Sequence, residues 1–173
     1  PRINELIKEV IRLSTQFGVL TEYTAFFARE GTALHEHDVV FKKVHKEISQ
    51  RAFGSRSGAG SYNQDANLKS ARESFVGNKS NRYIDKDLQE KHIDNVQALS
   101  NNALYQRGTQ WVDSRLINKN PNLDIDESIT FGSARHLELA RSLATQGQQS
   151  LLAQAGDIII SHEERVICIK ASE

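Results

Sequence analysis

The chain has 173 residues, and its 22 Lys plus Arg balance its 22 Asp plus Glu, so the formal net charge is zero. A neutral balance provides no field that attracts nucleic acid or acidic lipid, so we expect neither partner. No apolar run approaches the roughly 20 residues that span a bilayer. The length suits one domain over residues 1–173. The single cysteine, Cys168, lies in an apolar run and is predicted to be a buried structural thiol.

The N-terminal part contains two predicted helices with a strand between them. Apolar residues recur at helical spacing over about 4–17, and Gly18 follows where a left-handed residue ends a helix. Residues 19–28 are rich in β-branched and aromatic side chains, which predicts a strand. Thr32 suits the cap of a helix over 33–52. The apolar seam of that helix needs a partner surface and consists of Leu34, His37, Phe41, Val44 and Ile48. The opposite side carries Lys42, Lys43, Lys46 and Glu47.

Residues 54–95 differ in composition from the rest of the chain. They begin with a run rich in Gly and Ser and continue as a polar stretch with isolated apolar residues. A compact domain rarely contains so long a loop, so we expect a long, loosely structured connection that lies over the body. Its predicted points of attachment are Leu68, Phe75, Tyr83 and Ile84.

Residues 96–116 are predicted to form an antiparallel meander around which the chain is organised. Three short runs with strand character are separated by Asn- and Gly-containing turn signals: 96–99, 103–106 and 110–116. Alternation places Ala103 and Tyr105 on one face of the middle run, opposite Leu104. Trp111, the only tryptophan, is predicted to share a face with Asp113 and Arg115.

The C-terminal part is predicted to add a strand, a helix and a hairpin. A strand near 128–131 precedes Ser133, which caps a helix that continues to about Gln146. Gly147 is expected to separate that helix from a second piece that contains Leu151 and Leu152. The predicted apolar face of the helix is His136, Leu137, Ala140, Leu143 and Ala144. Strands at 157–162 and 165–171 form the hairpin. The fold class is therefore α+β, a mostly antiparallel sheet with two or three helices against one face.

The candidates for a metal site or a catalytic centre are weak. The candidate metal ligands are His35 and His37, with His45 nearby. His35 and His37 lie about 200° apart around a helix, so only one of them faces a given site at a time. Residues 122–126 have oxygen donors at alternate positions, as at the start of a calcium-binding loop. The Gly of the sharp turn and the Glu at the end of such a loop are missing. Ser, His and Asp are present without a Gly-x-Ser-x-Gly elbow. We therefore expect no cofactor, no metal and no enzymatic activity.

Two segments resemble proteins of the inter-alpha-trypsin inhibitor heavy-chain type. Residues 9–26 are similar to the segment downstream of their von Willebrand factor type A domain, and residues 95–115 to the C-terminal region of bacterial, planctomycete-type members. Residues 57–67 and 81–85 also resemble the linking region of those proteins. The similar segments follow the family's order along nearly the whole chain. Two departures are Glu22, where the family usually has Pro, and Leu104, where it often has Phe.

The resemblance implies a C-terminal accessory region of a larger exported protein with VIT and type A modules, periplasmic or at the cell surface. It implies docking on those upstream modules. The metal-dependent adhesion motif of type A domains does not occur in this chain, so no metal residue is carried over. A homodimer through strand 19–28 or helix 33–52 is a further expectation, since an unpaired strand edge invites association.

Two functional hypotheses follow. The first is a non-enzymatic structural or interaction region C-terminal to a type A module. The alternative is a binding module that recognises peptide or glycan through the exposed face of the 96–116 meander. The residues predicted for that interaction surface are Tyr105, Arg107, Trp111 and Asp113.

Overall fold

The computed structural model describes residues 2–19, 42, 46, 69, 82–84, 87–99, 101–117 and 123–172. Within these ranges the α+β prediction is confirmed. The predicted strand 19–28 lies outside the described residues, except for Val19. Of the predicted helix 33–52 only Lys42 and Lys46 are described, and both are helical and exposed.

The described strands form a two-stranded hairpin and a six-stranded mixed sheet. Their bounds are β1 Arg82–Ile84, β2 Glu90–His92, β3 Val96–Ala98, β4 Ala103–Arg107, β5 Gln110–Asp113, β6 Glu127–Thr130, β7 Asp157–His162 and β8 Arg165–Lys170. β1 pairs with β2, and the larger sheet has the order β3-β4-β5-β7-β8-β6. The pairs β5–β7 and β8–β6 are parallel and the other pairs are antiparallel. The predicted meander is β3-β4-β5.

The described helices are α1 Arg2–Phe17, α2 Ser114–Ile117 and α3 Ala134–Thr145, with a 3₁₀ helix at Gln149–Leu152. The predicted cap of α3 is confirmed, since the Ser133 hydroxyl accepts the His136 N–H at 3.2 Å. Gly147 has a φ of +69° and lies between α3 and the 3₁₀ helix, as expected.

Helices cover both faces of the sheet, so the prediction that they lie against one face is wrong. The first face lies under α1 and α2, and the core between them includes Tyr105, Val112 and Ile159 of the sheet and Ile11 of α1. The second face lies under α3 and the 3₁₀ helix, and the core there includes Leu104, Ile158 and Ile160 of the sheet and Leu139 of α3. The cause is visible in β7 and β8, whose central residues are apolar without alternation, a pattern typical of strands buried on both faces.

Two local predictions in the meander and in α3 are also corrected. The third strand ends at Asp113, because the Asp113 carboxylate accepts the Arg115 N–H at 2.9 Å and so caps α2. In α3 the buried residues are His136, Leu139 and Leu143, whereas Leu137 is 53% exposed. Ala144 is exposed as well. The buried stripe is therefore rotated away from the predicted one.

Part of the connection 54–95 is regular. β1 and β2 lie within it, and Tyr83, a predicted point of attachment, packs against the first face of the sheet. Leu68 and Phe75 lie outside the described residues. At the other end of the chain, β7 and β8 form the predicted hairpin through Glu163 and Glu164, whose φ values of 49° and 63° are those of a tight two-residue turn.

Candidate functional site

The four residues predicted to form an interaction surface do not form one exposed patch. Tyr105 and Asp113 have no exposed surface, which removes them from any accessible site. Arg107 and Trp111 are half-buried, and the Arg107 guanidinium lies 6.0 Å from the centre of the Tyr105 ring. The predicted surface is corrected accordingly, since alternation along a strand does not show whether a helix covers the face.

Tyr105 and Ser114 instead hold the C-terminal end of α1 on the sheet. The carbonyls of the last helical turn have no partner within the helix. The Tyr105 hydroxyl donates to the Thr15 carbonyl at 2.8 Å, and the Ser114 hydroxyl donates to the Gln16 carbonyl at 2.7 Å. The Ser114 oxygen also accepts the Ala103 N–H at 3.2 Å. Burial raises the pKa of the Tyr105 phenol well above its usual range, which keeps the donor protonated.

Gly18 allows the helix end to approach the sheet. Its φ is +63°, and the Val19 N–H bonds back to the Ser14 carbonyl at 3.0 Å, as in a glycine-terminated helix. A Cβ atom at Gly18 would lie 2.7 Å from the Cβ of Ala103 and 3.2 Å from that of Ala98. The position therefore requires glycine both for its backbone angle and for the contact with β3 and β4.

Asp113 and Arg115 connect β5 to β7 where their parallel pairing ends. The buried Asp113 carboxylate accepts the Arg115 Nε–H at 2.9 Å and also bonds its Nη2. The Arg115 Nη2 donates to the Ser161 carbonyl at 2.8 Å. The Asn102 side-chain amide and the Ser161 N–H approach the carboxylate at 3.4 Å. A buried carboxylate is thus satisfied by a paired guanidinium and by main-chain groups.

Trp111 also forms a hydrogen bond to a remote segment of the chain. Its Nε1–H donates to the Ala155 carbonyl at 3.2 Å, and its ring packs against the second face of the sheet. We call Tyr105, Trp111, Asp113, Ser114 and Arg115 the clamp residues, because each bonds a segment outside its own strand or helix that is remote in the chain. The sequence contains these residues in one recognisable stretch, yet their remote partners carry no sequence signal.

Among the described residues, the Ser142 hydroxyl and the His162 imidazole come closest to a nucleophile paired with a base. The Ser142 hydroxyl lies 3.0 Å from His162 Nε2, and the Glu163 carboxylate lies 3.7 Å from the same nitrogen. A catalytic triad places its acid on the other ring nitrogen, where it orients the imidazole. The pair therefore does not have triad geometry. No local sequence motif marks this pair.

Metal-binding geometry is not found in the part of the chain that the structure describes. No group of three or more His, Cys, Asp or Glu there could hold an ion. The candidate His35, His37 and His45 lies outside the described residues. Asp124 and Asp126 line an open cavity of about 440 Å³, but the Asp126 carboxylate accepts the Val166 N–H at 2.7 Å. None of the helices in the described ranges is long and apolar enough to cross a membrane.

Helix α1 carries a row of exposed apolar side chains. Leu6, Val10, Leu13 and Phe17 are 64%, 48%, 38% and 36% exposed. Their spacing of four, three and four residues places them on one side of the helix. The side that contacts the sheet contains the buried Ile11 and Thr15. We call the four residues the exposed stripe.

No family model, curated protein or solved structure matches this chain significantly. The resemblance noted above therefore stays a prediction.

Proposed function

We propose that the chain is a non-enzymatic structural region that follows the type A module of an exported bacterial protein and docks on its upstream modules. The observation that supports this proposal is the set of hydrogen bonds that the clamp residues make. The polar residues of the stretch that resembles the family bond α1 and the neighbouring strands, with their donors and acceptors committed to those bonds. A reactive centre would need such groups to converge on accessible space.

The attachment of α1 to the sheet gives this role a physical basis. The helix lies at the start of the chain, and its end is fixed to the sheet through Tyr105, Ser114 and Gly18. A helix held in this way transmits its orientation to whatever polypeptide precedes it. Tyr105, Ser114 and Gly18 would then set the angle between the sheet and the upstream modules, which supports a mechanical rather than a chemical role.

The alternative binding module has less support. It requires an exposed aromatic face on the meander, but Tyr105 is fully buried and the Trp111 indole N–H is already bonded. A peptide or glycan that did bind there would change the Trp111 fluorescence. A titration with peptide and oligosaccharide mixtures that leaves the emission unchanged favours the structural proposal over this alternative.

The proposal is tested by activity and by binding. The purified chain is assayed on ester, peptide, glycoside and phosphoester substrates beside a Ser142→Ala variant, which removes the one nucleophile found beside an imidazole among the described residues. For each substrate we expect either no turnover or turnover that the Ser142→Ala variant retains. The polypeptide encoded upstream, supplied separately, should bind the chain saturably in calorimetry. Turnover lost in Ser142→Ala, or the absence of binding heat, would overturn the proposal.

A further inference from the structure

An open cavity lies beside the first face of the sheet, and none of the clamp residues lines it. Its volume of about 440 Å³ is within the range of about 300–1,000 Å³ that is typical of ligand-binding pockets. Three apolar side chains line it, namely Leu116 of α2, Leu123 before β6 and Val166 of β8. All three belong to the core of the first face or pack against it, so that core holds the apolar wall of the cavity in place.

Three carboxylates line the cavity beside this apolar wall. They belong to Asp124 and Asp126 in the segment before β6 and to Glu164 in the turn between β7 and β8. The Asp126 side chain is held in place because its Oδ2 accepts the Val166 N–H at 2.7 Å. Asp124 and Glu164 are exposed, and neither carboxylate has a hydrogen-bond or ion-pair partner among the described residues. The cavity therefore combines an apolar wall with local negative charge, in a chain whose formal net charge is zero.

The two arginines that neighbour lining residues in the sequence do not neutralise this charge. Arg115 is paired with the buried Asp113, and the Arg165 Nη1 lies 3.3 Å from the Glu127 carboxylate. Neither arginine lines the cavity. In the part of the chain that the structure describes, no group of three or more His, Cys, Asp or Glu could hold a metal ion. The combination of negative charge and apolar wall therefore fits an organic cation with an aliphatic stem.

We propose that the cavity binds the side chain of an arginine in a peptide segment of a protein partner. The methylene stem of the arginine lies against Leu123 and Val166, and its guanidinium forms charge-assisted hydrogen bonds with the carboxylates of Asp124 and Glu164. Arginine is favoured over lysine because its planar guanidinium can bond two carboxylate oxygens at once. Because the cavity is open, the side chain can enter while the main chain of the peptide stays outside. Charge complementarity of this kind contributes more to specificity than to affinity, so we expect weak binding that depends on salt.

An NMR titration of the isotope-labelled full chain tests this inference. The probe is the peptide Gly-Leu-Arg-Leu-Gly with both ends blocked, and the control peptide carries citrulline, which has nearly the shape of arginine but no charge. We expect the arginine peptide to cause saturable shifts in the amides of residues 123–126 and 161–166, and the citrulline peptide to cause none there. The affinity should fall as the salt concentration rises, because the exposed carboxylates are screened.

Two double variants assign the binding to the cavity. Asp124→Asn with Glu164→Gln should weaken the binding of the arginine peptide about tenfold, because the charge is lost while the shape is kept. Glu5→Gln with Glu163→Gln removes the same charge from exposed residues outside the cavity and should leave the affinity unchanged. Trp111 fluorescence verifies that both variants fold. Four outcomes would overturn the inference: no saturable shift with the arginine peptide, equal shifts with the citrulline peptide, full affinity in the first variant, or tighter binding of spermidine or calcium at the same amides.

Discussion

The Tyr105 hydroxyl donates a 2.8 Å hydrogen bond to the carbonyl of Thr15, which lies 90 positions earlier in the chain. This bond joins the middle of the meander to the last turn of α1, and Tyr105 is fully buried. The bond satisfies a carbonyl that a helix end leaves without a partner. It is one of two hydrogen bonds by which clamp residues satisfy carbonyls at the end of α1, and the other joins Ser114 to Gln16.

Tyr105→Phe should change how stability depends on alkaline pH. Burial raises the folded-state pKa of Tyr105 above that of the unfolded chain, so its stabilisation is complete below the unfolded pKa and is lost as the pH rises toward the folded pKa. Above pH of about 10 the native protein should lose about 1.4 kcal/mol per pH unit relative to the variant. Urea unfolding followed by Trp111 fluorescence measures this.

The same comparison contains its own control. Burial also raises the pKa of Cys168, but this thiol is present in both proteins and its contribution cancels. At neutral pH the variant should be less stable by about 1–2 kcal/mol, because the Thr15 carbonyl is left without its donor. Parallel stability curves from pH 8 to pH 11 would show that Tyr105 is not buried in this way.

Gly18→Ala should destabilise the protein more than Gly147→Ala does. Both glycines have positive φ, so each substitution costs about 1 kcal/mol of backbone strain. Only at Gly18 would the new Cβ collide with Ala103, which adds about 1–3 kcal/mol of overpacking. At Gly147 nothing lies within 4 Å. Thermal unfolding of the two variants measures the difference, and equal losses would contradict the close approach of α1 to the sheet.

Asp113→Ala should be among the most damaging single substitutions. It removes the carboxylate that pairs with Arg115, and it leaves a partly buried guanidinium without its counter-charge. Breaking a buried pair in this way costs about 3–5 kcal/mol. The matched control is Glu9→Ala, which breaks the exposed pair with Arg12. Denaturant unfolding should show no measurable loss for the control, and comparable losses for both variants would refute the structural role of Asp113.

Much of the fold could be predicted because local signals were strong. The meander, the cap at Ser133, the break at Gly147 and the C-terminal hairpin follow from turn chemistry and alternation that act over a few residues. The sequence also contains a signal for helices on both faces of the sheet, namely the continuous apolar run Ile158, Ile159 and Ile160. Continuous apolar strands are typical of sheets covered on both faces.

The candidate site could be predicted only in part. Turn chemistry and alternation predict the stretch that contains Tyr105, Trp111 and Asp113, but they do not show which of its faces is exposed. Whether a strand residue is exposed depends on which helix packs above it, and the contact between Tyr105 and Thr15 joins segments 90 positions apart. The pair of Ser142 and His162 likewise arises from packing between α3 and β7, which no local motif records.

The central claim is that the side chains of Tyr105 and Ser114 fix the C-terminal end of α1 to the sheet. The most direct measurement is native-state hydrogen exchange of the double variant Tyr105→Phe with Ser114→Ala, compared with the unmodified chain. We predict that amides in residues 11–17 exchange about 100-fold faster while β7 and β8 stay within about threefold, because α1 opens locally. Unchanged protection of residues 11–17, or an equal loss across α1, β7 and β8, would contradict the account.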